Sequence, residues 1–119
     1  MILLCCGSRW WDNVRKIEKE FDQLERDGHR IQLVIEGEAD GADKKSRAVA
    51  EARKIPVCGF FANWTYLGKA AGPIRNSSQI KFIRVDLVLA FHPNIERSKG
   101  TKNMVEQARK KGIKVKIIA

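Results

Sequence analysis

Four short segments of the chain combine glycine with hydroxyl, amide or guanidinium side chains, the groups that bind phosphates and sugars. Glycine lets backbone amides come close to a ligand, and a helix N-terminus offers unpaired N–H donors with a partial positive charge. A hydroxyl adds a hydrogen bond, and an arginine can hold a phosphate through two. The segments are Gly7-Ser8-Arg9, Glu36 to Asp43, Ala71 to Asn76 and Ser98 to Thr101.

Each segment taken alone also has a purely structural explanation. Gly37 and Gly41 are equally suited to turning the chain, and Arg75 to an ion pair on a helix surface. Trp64 fits a seal over the sheet edge as well as a stacking surface for a base. The glycine spacing matches neither a dinucleotide-binding fingerprint nor a Walker loop, because no Gly-Lys-Ser or Gly-Lys-Thr follows. What favours a site is that four such segments reach one edge of one sheet.

Short apolar runs alternate with amphipathic helical segments along the chain. A continuous apolar run is typical of a strand buried on both faces, and apolar residues three and four positions apart are typical of a helix. The pattern predicts one domain over residues 1–119, an α/β, three-layer Rossmann-like fold with about five parallel strands and helices on both faces. The predicted strands are Ile2 to Cys6, Ile31 to Ile35, Ile55 to Phe61, Val85 to Phe91 and Ile113 to Ile118.

In a sheet of this kind, ligands bind beyond the carboxyl ends of the strands, near the point where strand order reverses. Each of the four segments follows a predicted strand or opens the helix after one, so we expect them to meet there. The predicted ligand-binding residues are Gly7, Ser8, Arg9, Gly37, Gly41, Ala42, Asp43, Trp64, Gly72, Arg75, Asn76, Ser98, Gly100 and Thr101.

Capping and breaking residues give the expected helix boundaries. Asp12 is the predicted cap of the first helix. Residues 62–73 are predicted to form an irregular functional loop, with Pro73 in the first turn of the third helix. The residues predicted on the inner face of the second helix are Ala48, Val49 and Ala52.

The composition is that of a basic globular protein. The 119 residues carry a formal net charge of +9, and the stretch from Arg97 to Ala119 holds eight Lys or Arg and one acid. A positive excess favours anionic partners such as nucleotides, nucleic acid or an acidic protein. No apolar run reaches the length of a membrane span, and the N-terminus lacks the basic start and cleavage site of a signal peptide. We therefore expect a cytoplasmic protein without a membrane partner.

The cysteines and aromatic residues narrow the choice of chemistry. Three cysteines cannot form a complete set of internal disulfides, and their spacing is not that of metal ligands. We expect reduced thiols buried in strands, and no metal site. Most of the three Trp, five Phe and one Tyr fall in predicted core or helix positions, which argues against a platform of stacking aromatics for nucleic acid.

The motifs also match a known family. Over nearly the whole chain they resemble the YspA-like branch of the SLOG superfamily, and residues 68–76 are the most specific part. The resemblance implies a Rossmann-like fold, a homodimer, and a nucleotide or nucleotide-derived ligand, with NAD and ADP-ribose derivatives among the candidates. No separate cofactor is expected. The matching motifs are Gly7-Ser8-Arg9, Gly37-x-x-x-Gly41-Ala42-Asp43, Ala62-Asn63-Trp64, Gly68-Lys69-Ala70-Ala71-Gly72-Pro73-x-Arg75-Asn76, Ala90-Phe91 and Ser98-x-Gly100-Thr101.

Three functions stay open at this point. The first is binding of a nucleotide derivative. Another is binding of single-stranded nucleic acid, which the related DprA proteins bind, and it ranks third. The second is N-glycoside hydrolysis of a nucleotide, as in the related Lonely Guy enzymes, which use a carboxylate where this chain has Met104. Hydrolysis through an oxocarbenium-like state needs such a carboxylate. The candidate catalytic residues are therefore Asp43, Glu36 and Arg75, with Glu38 and Asp40 as further carboxylates.

Overall fold

Five parallel strands form the central sheet of the computed structural model, which describes residues 1–119. Their order across the sheet is β3-β2-β1-β4-β5, so strand order reverses between β1 and β4. All four neighbouring pairs are parallel. The predicted α/β Rossmann-like fold is confirmed. The strands are β1 (Ile2–Gly7), β2 (Leu33–Glu36), β3 (Val57–Gly59), β4 (Leu87–Phe91) and β5 (Lys114–Ile118).

Helices cover both faces of the sheet and complete three layers. The helices are α1 (Val14–Arg26), α2 (Ala42–Ala52), α3 (Trp64–Leu67), α4 (Ala71–Lys81) and α5 (Gly100–Lys110), with 3₁₀ turns at Gly68–Ala70 and Ile95–Arg97. The first two helices pack together on one face, and α4 and α5 pack together on the other. None of the helices combines the length and the apolarity that crossing a membrane requires.

Two hydrophobic cores lie on opposite faces of the sheet. Leu3 and Cys5 point toward α1 and α2, whereas Leu4 points toward α4 and α5. Successive side chains of a strand alternate between the two faces, so a central strand that is covered on both must be apolar throughout. This is why the apolar runs in the sequence locate β1 and β4 well.

Two helix details differ from the prediction. The cap of α1 is Asn13 and not Asp12, and its side-chain oxygen accepts a hydrogen bond from the Lys16 N–H at 3.1 Å. Asn13 stands directly before the first helical residue, which is the position from which a side chain reaches the third amide. In α2, Ala48 and Ala52 are exposed. The buried face includes a serine and an aspartate, which hide its periodicity: Ala42, Asp43, Ser46, Val49 and Ala50.

The stretch from residue 62 to residue 73 is mostly helical, so the prediction of an irregular loop was wrong. The side chain of Asn63 caps α3 by accepting a hydrogen bond from the Tyr66 N–H at 3.0 Å. A 3₁₀ turn then leads straight into α4, whose first amide, that of Ala71, donates to the Gly68 carbonyl. Pro73 lies in the first turn of α4, as predicted. The strands β2 and β3 are shorter than predicted. The two pair with each other over three residues only, and β3 is an edge strand.

The three cysteines lie in strands and are free thiols. Cys5 is buried, as predicted, and burial raises the pKa of its thiol to about 12. Cys6 and Cys58 are half-buried. Burial, together with the nearby Asp43 carboxylate, also raises the pKa of Cys6.

The close contact at Gly41 gives a test of the fold. Gly41 has φ +72°, and a Cβ there would overlap the backbone of Ser8 and Arg9. Gly112 has a similar φ of +76° but faces open space. A side chain at positive φ costs about 1–2 kcal/mol, and at Gly41 the turn after β1 must move as well. We expect urea denaturation to show a loss of about 3 kcal/mol or more for Gly41→Ala and about 1 kcal/mol for Gly112→Ala. Equal losses would contradict the contact.

Candidate functional site

The carboxyl edge of the sheet brings the four segments together, as the fold requires. The turn after β1, the loop after β2, the N-terminal half of α4 and the start of α5 are joined there by hydrogen bonds. Two sets of contacts hold them. One set runs from Asp43 through Arg75 and Asn76 to Gly100, and the other fixes Gly7 and Ser8 against β4 and α2.

Arg75 and Asp43 approach Gly37 closely. The Nη1 of Arg75 donates to the Gly37 carbonyl at 2.9 Å, while the Oδ2 of Asp43 accepts from the Gly37 and Ala39 amides, each at 3.2 Å. A Cβ at Gly37 would lie 2.8 Å from the Nη1 of Arg75 and 2.9 Å from the Oδ2 of Asp43. Glycine at this position therefore leaves space for a guanidinium and a carboxylate to form hydrogen bonds with the same loop.

The electrostatics of Asp43 are unusual for an aspartate. Burial raises the pKa of its carboxyl to about 7, against the lowering effects of the Ala39 amide, the Arg75 guanidinium and the Gly37 amide. The neighbouring Glu36 carboxylate raises it further. A proton on Asp43 is therefore gained or lost near neutral pH, which is a property that functional sites often show.

Asn76 connects Arg75 to the start of α5. Its Oδ1 accepts from the Nε of Arg75 at 3.2 Å, and its Nδ2 donates to the Gly100 carbonyl at 3.3 Å and to the Oδ1 of Asn103 at 3.1 Å. The side chain is buried. Asn76 is thus placed to hold two neighbouring segments of the site rather than to reach out from it.

The start of α5 has both occupied and free donors. The Oγ of Ser98 accepts from the Thr101 N–H at 2.9 Å, so Ser98 acts as a helix cap. The N–H of Gly100 donates to no protein atom, and a Cβ on Gly100 would meet nothing within 4 Å. This edge of α5 therefore leaves room, and an unpaired amide, for an incoming group.

Gly7, Ser8, Gly41 and Ala42 have clear structural roles. The Ser8 N–H donates to the Phe91 carbonyl at 2.9 Å, and the Ser8 carbonyl accepts from the Ala42 N–H at 3.0 Å. A Cβ on Gly7 would overlap the Phe91 carbonyl oxygen and lie 2.8 Å from the Ala42 Cβ. These contacts fix the turn after β1. The Ser8 hydroxyl accepts from the Trp10 N–H at 3.0 Å, while the side chains of Arg9 and Trp10 extend from this turn toward solvent.

Several aromatic side chains at this edge are exposed, which the assignment of most aromatics to core or helix positions did not anticipate. Trp10, Phe61, Trp64 and Tyr66, here called the aromatic rim, follow the carboxyl ends of β1 and β3. Their exposed fractions are 83%, 70%, 56% and 85%. The Cη2 of Trp64 would lie 3.0 Å from a Cβ on Gly72, so this indole both covers α4 and keeps a free surface. Exposed aromatics at the edge where ligands bind in such sheets make this edge a candidate interaction surface.

Basic side chains surround the same edge. Several of these side chains make no ion pair within 4.0 Å, in contrast to Lys44 and Lys102 nearby, which pair with Asp40 and Glu96. The edge therefore carries positive charges without an acidic partner. The basic residues without an acidic partner are Arg9, Lys69, Arg75, Arg97 and Lys99.

The remaining carboxylates predicted as candidates are engaged in ion pairs. The Oε1 of the fully buried Glu36 accepts from the Nε of Arg47 at 2.6 Å, and its Oε2 accepts from the Glu38 amide. Glu38 also lies 3.5 Å from Arg47, and Asp40 pairs with Lys44 at 3.1 Å. Glu36 pairs with Arg47 of α2 and makes no hydrogen bond or ion pair with Arg75.

Sequence reasoning missed two residues of this network. Asn103 and Gln107 lie one turn apart on α5, and the Nε2 of Gln107 donates to the Oδ1 of Asn103 at 2.7 Å. Gln107 also donates to the Pro73 carbonyl at 3.3 Å. The sequence does show two amide side chains four residues apart, a spacing that places them on the same side of a helix. Only the packing of α4 on α5 shows that they reach the buried Asn76.

Comparisons with known proteins agree with this architecture. A family model described as “YspA, cpYpsA-related SLOG family” matches residues 1–66. The Gene 61 protein of Mycobacterium phage D29 is 32% identical over an alignment of 119 positions, which covers 95% of this chain and 92% of that protein. DNA processing protein A (DprA) from Streptococcus pneumoniae has an X-ray structure that matches with a TM-score of 0.77 at 18% identity. The match covers 98% of this chain and 50% of that one, so this chain spans half the length of DprA. Family and fold fit nucleotide or nucleic-acid binding in general.

The raised pKa of Asp43 predicts how stability depends on pH. The carboxyl has a pKa of about 7 in the folded protein and 3.8 as its ordinary value, so the unfolded chain loses this proton first. Stability therefore falls as pH rises from about 4 to about 7, by up to about 1.4 kcal/mol per pH unit, and the loss is complete above that range.

Asp43→Asn keeps an oxygen that can accept from both amides and removes the titration. We expect urea denaturation at pH 4 to 8 to show a flatter profile for this variant. Asp40→Asn is the matched control, because Asp40 is exposed and pairs with Lys44 on the surface. The same pH slope in wild type and Asp43→Asn would contradict the assignment.

Proposed function

Because the chain belongs to the YspA, cpYpsA-related SLOG family, we propose that it binds a nucleotide or nucleotide-derived ligand at the carboxyl edge of its sheet. The observation that carries the proposal is the hydrogen-bonded link from Arg75 through Asn76 to the open start of α5. It connects a guanidinium to a helix start that has an unpaired amide. Both groups bind phosphate.

The phosphate is bound between Arg75 and Gly100 in this proposal. Arg75 uses its Nε and Nη1 to bond the protein, and its Nη2 donates to no protein atom. Gly100 supplies a free N–H and the space for close approach, and the hydroxyls of Ser98 and Thr101 are next to it along the chain. Ser8 and Arg9 close the opposite side. NAD and ADP-ribose derivatives are the ligand candidates.

The sugar and base are placed by the neighbouring groups. Asp43 has one carboxylate oxygen, Oδ1, without a protein donor, which suits a ribose hydroxyl. Glu36 is withdrawn from this role because Arg47 and the Glu38 amide occupy it. The exposed surface of Trp64 beside Gly72 offers a stacking face for the base.

N-glycoside hydrolysis is the alternative at the same site. Of the four carboxylates considered, only Asp43 lies beside Arg75, and a pKa of about 7 suits proton transfer near neutral pH. Hydrolysis would release a free base from a nucleotide. Chromatography of the binding mixtures separates this outcome from binding alone.

Single-stranded nucleic acid is a second candidate ligand, favoured by the aromatic rim. Bases stack on exposed aromatics while basic side chains contact the phosphates, and this edge has both groups. A solved protein of the same fold is named for DNA processing. A nucleic-acid strand that extends along the whole aromatic rim would contact aromatic side chains that a single nucleotide does not reach.

The first test is a thermal-shift screen with AMP, ADP, NAD, ADP-ribose, cyclic nucleotides and a short DNA strand. A ligand at about 100 times its dissociation constant stabilises the fold by about 2.7 kcal/mol, which is several degrees for a domain of this size. We expect Arg75→Ala to weaken binding of the stabilising nucleotide by about 1.5–3 kcal/mol. Gly100→Val should weaken binding by filling the open space, without loss of stability.

Arg109→Ala is the control for charge, because Arg109 is an exposed α5 residue without an ion pair. Calorimetric affinities equal to wild type for Arg75→Ala and Gly100→Val would remove this site from the proposal. No shift with any small molecule would leave nucleic acid as the ligand class.

A matched pair of aromatic substitutions tests the second candidate. Tyr66 belongs to the rim and is 85% exposed, whereas Phe82 is 71% exposed after α4, at the opposite edge of the sheet. A stacked base contributes about 1–3 kcal/mol. By fluorescence anisotropy with a 12-nucleotide oligothymidine, we expect Tyr66→Ala to weaken binding by at least about fivefold, and Phe82→Ala to have no effect. Equal effects of both changes would contradict a role for the rim.

A further inference from the structure

We infer that Asn103 is a positioning residue, which fixes the side-chain amide of Asn76 and, through it, the guanidinium of Arg75. The inference rests on the proposed function, because it explains how the phosphate-binding groups are held in place. Asn103 touches neither the proposed phosphate position nor Arg75 directly. Its effect passes through one buried side chain, that of Asn76.

The hydrogen bonds among these side chains allow only one orientation of each amide. A backbone carbonyl anchors each end: Gln107 donates to the Pro73 carbonyl at 3.3 Å, and Asn76 donates to the Gly100 carbonyl at 3.3 Å. The Nε2 of Gln107 must therefore face Asn103, which presents its Oδ1 in return. The same Oδ1 accepts from the Nδ2 of Asn76 at 3.1 Å. An amide turned the other way would set donor against donor or acceptor against acceptor.

The orientation of the Asn76 amide determines which of its atoms faces the Nε of Arg75. With Nδ2 committed to Gly100 and Asn103, the Oδ1 of Asn76 faces the Nε of Arg75 and accepts from it at 3.2 Å. Together with the Gly37 carbonyl, this bond fixes two nitrogens of the guanidinium. The third nitrogen, Nη2, is then held in one direction. Preorganised donors of this kind lose less conformational freedom when a ligand binds.

The Oδ1 of Asn103 is the part of that side chain that the inference requires. Both of its hydrogen bonds are accepted, and its Nδ2 donates to no protein atom. An aspartate at this position can accept the same two bonds, whereas an alanine accepts neither. Asn103→Asp is therefore the rescue variant for geometry, and Asn103→Ala is the disruptive one. Glu106→Ala is the matched control, because Glu106 is an exposed neighbour on α5 without a hydrogen bond or ion pair.

The experiment measures Arg75 itself before any ligand is added. The side-chain Nε–H signals of the arginines are recorded by two-dimensional NMR, and that of Arg75 is assigned from its absence in Arg75→Lys. We expect this signal to shift in Asn103→Ala, with solvent exchange about tenfold faster, because its acceptor is no longer fixed. Asn103→Asp should keep the wild-type exchange rate, and Glu106→Ala should leave the signal unchanged.

Affinity for ADP-ribose, measured by calorimetry, then links the geometry to the site. We expect Asn103→Ala to weaken binding about five- to tenfold and Glu106→Ala to leave it unchanged. An Arg75 signal that is the same in wild type and Asn103→Ala would overturn the inference, as would an Asn103→Asp signal that resembles Asn103→Ala. If wild type binds no nucleotide while the signal responds as expected, the proposed function fails and the positioning role stands.

Discussion

The contact between β1 and β4 at their carboxyl ends is the constraint on which the rest of the site depends. Gly7 lies against the carbonyl oxygen of Phe91, with no space for a side chain, and the next amide bonds that oxygen. The Ser8 carbonyl then accepts the amide of Ala42 and so fixes the start of α2. Strand order reverses at this pair of strands, so the loops on either side diverge and leave the edge open.

Neutral amides, and not ion pairs, connect the two halves of this edge. Asn76, Asn103 and Gln107 satisfy one another and two backbone carbonyls. A carboxylate paired with Arg75 would hold the guanidinium equally firmly but would cancel its charge toward a ligand. Amide side chains that are hydrogen-bonded to one another give rigidity without that loss. Asp43, the buried carboxylate near Arg75, is about half protonated at neutral pH because its pKa is about 7.

Sequence patterns predict well those features that burial alone determines. The apolar runs predict the parallel sheet, because central strands that are covered on both faces are apolar throughout. The ends of those strands in turn predict that the four glycine-containing segments lie at one edge of the sheet. Burial of polar residues is harder to predict. Asp43 and Ser46 lie on the inner face of α2, so apolar counting selected Ala48 and Ala52 instead. Likewise, Glu36 pairs with Arg47 on the helix that follows it, and no local sequence pattern reveals this pair.

The aromatic rim shows a second limit of sequence reasoning and bears on the ligand. An aromatic residue in a sequence is assigned to a core by default, because burial of its large apolar surface is favourable. Trp10 and Tyr66 remain exposed, whereas Trp64 partly covers Gly72. A single nucleotide bound at Arg75 requires one stacking surface, which Trp64 can supply. Under the proposed function, the other exposed aromatics of the rim are left for a longer, single-stranded ligand, which is the second candidate.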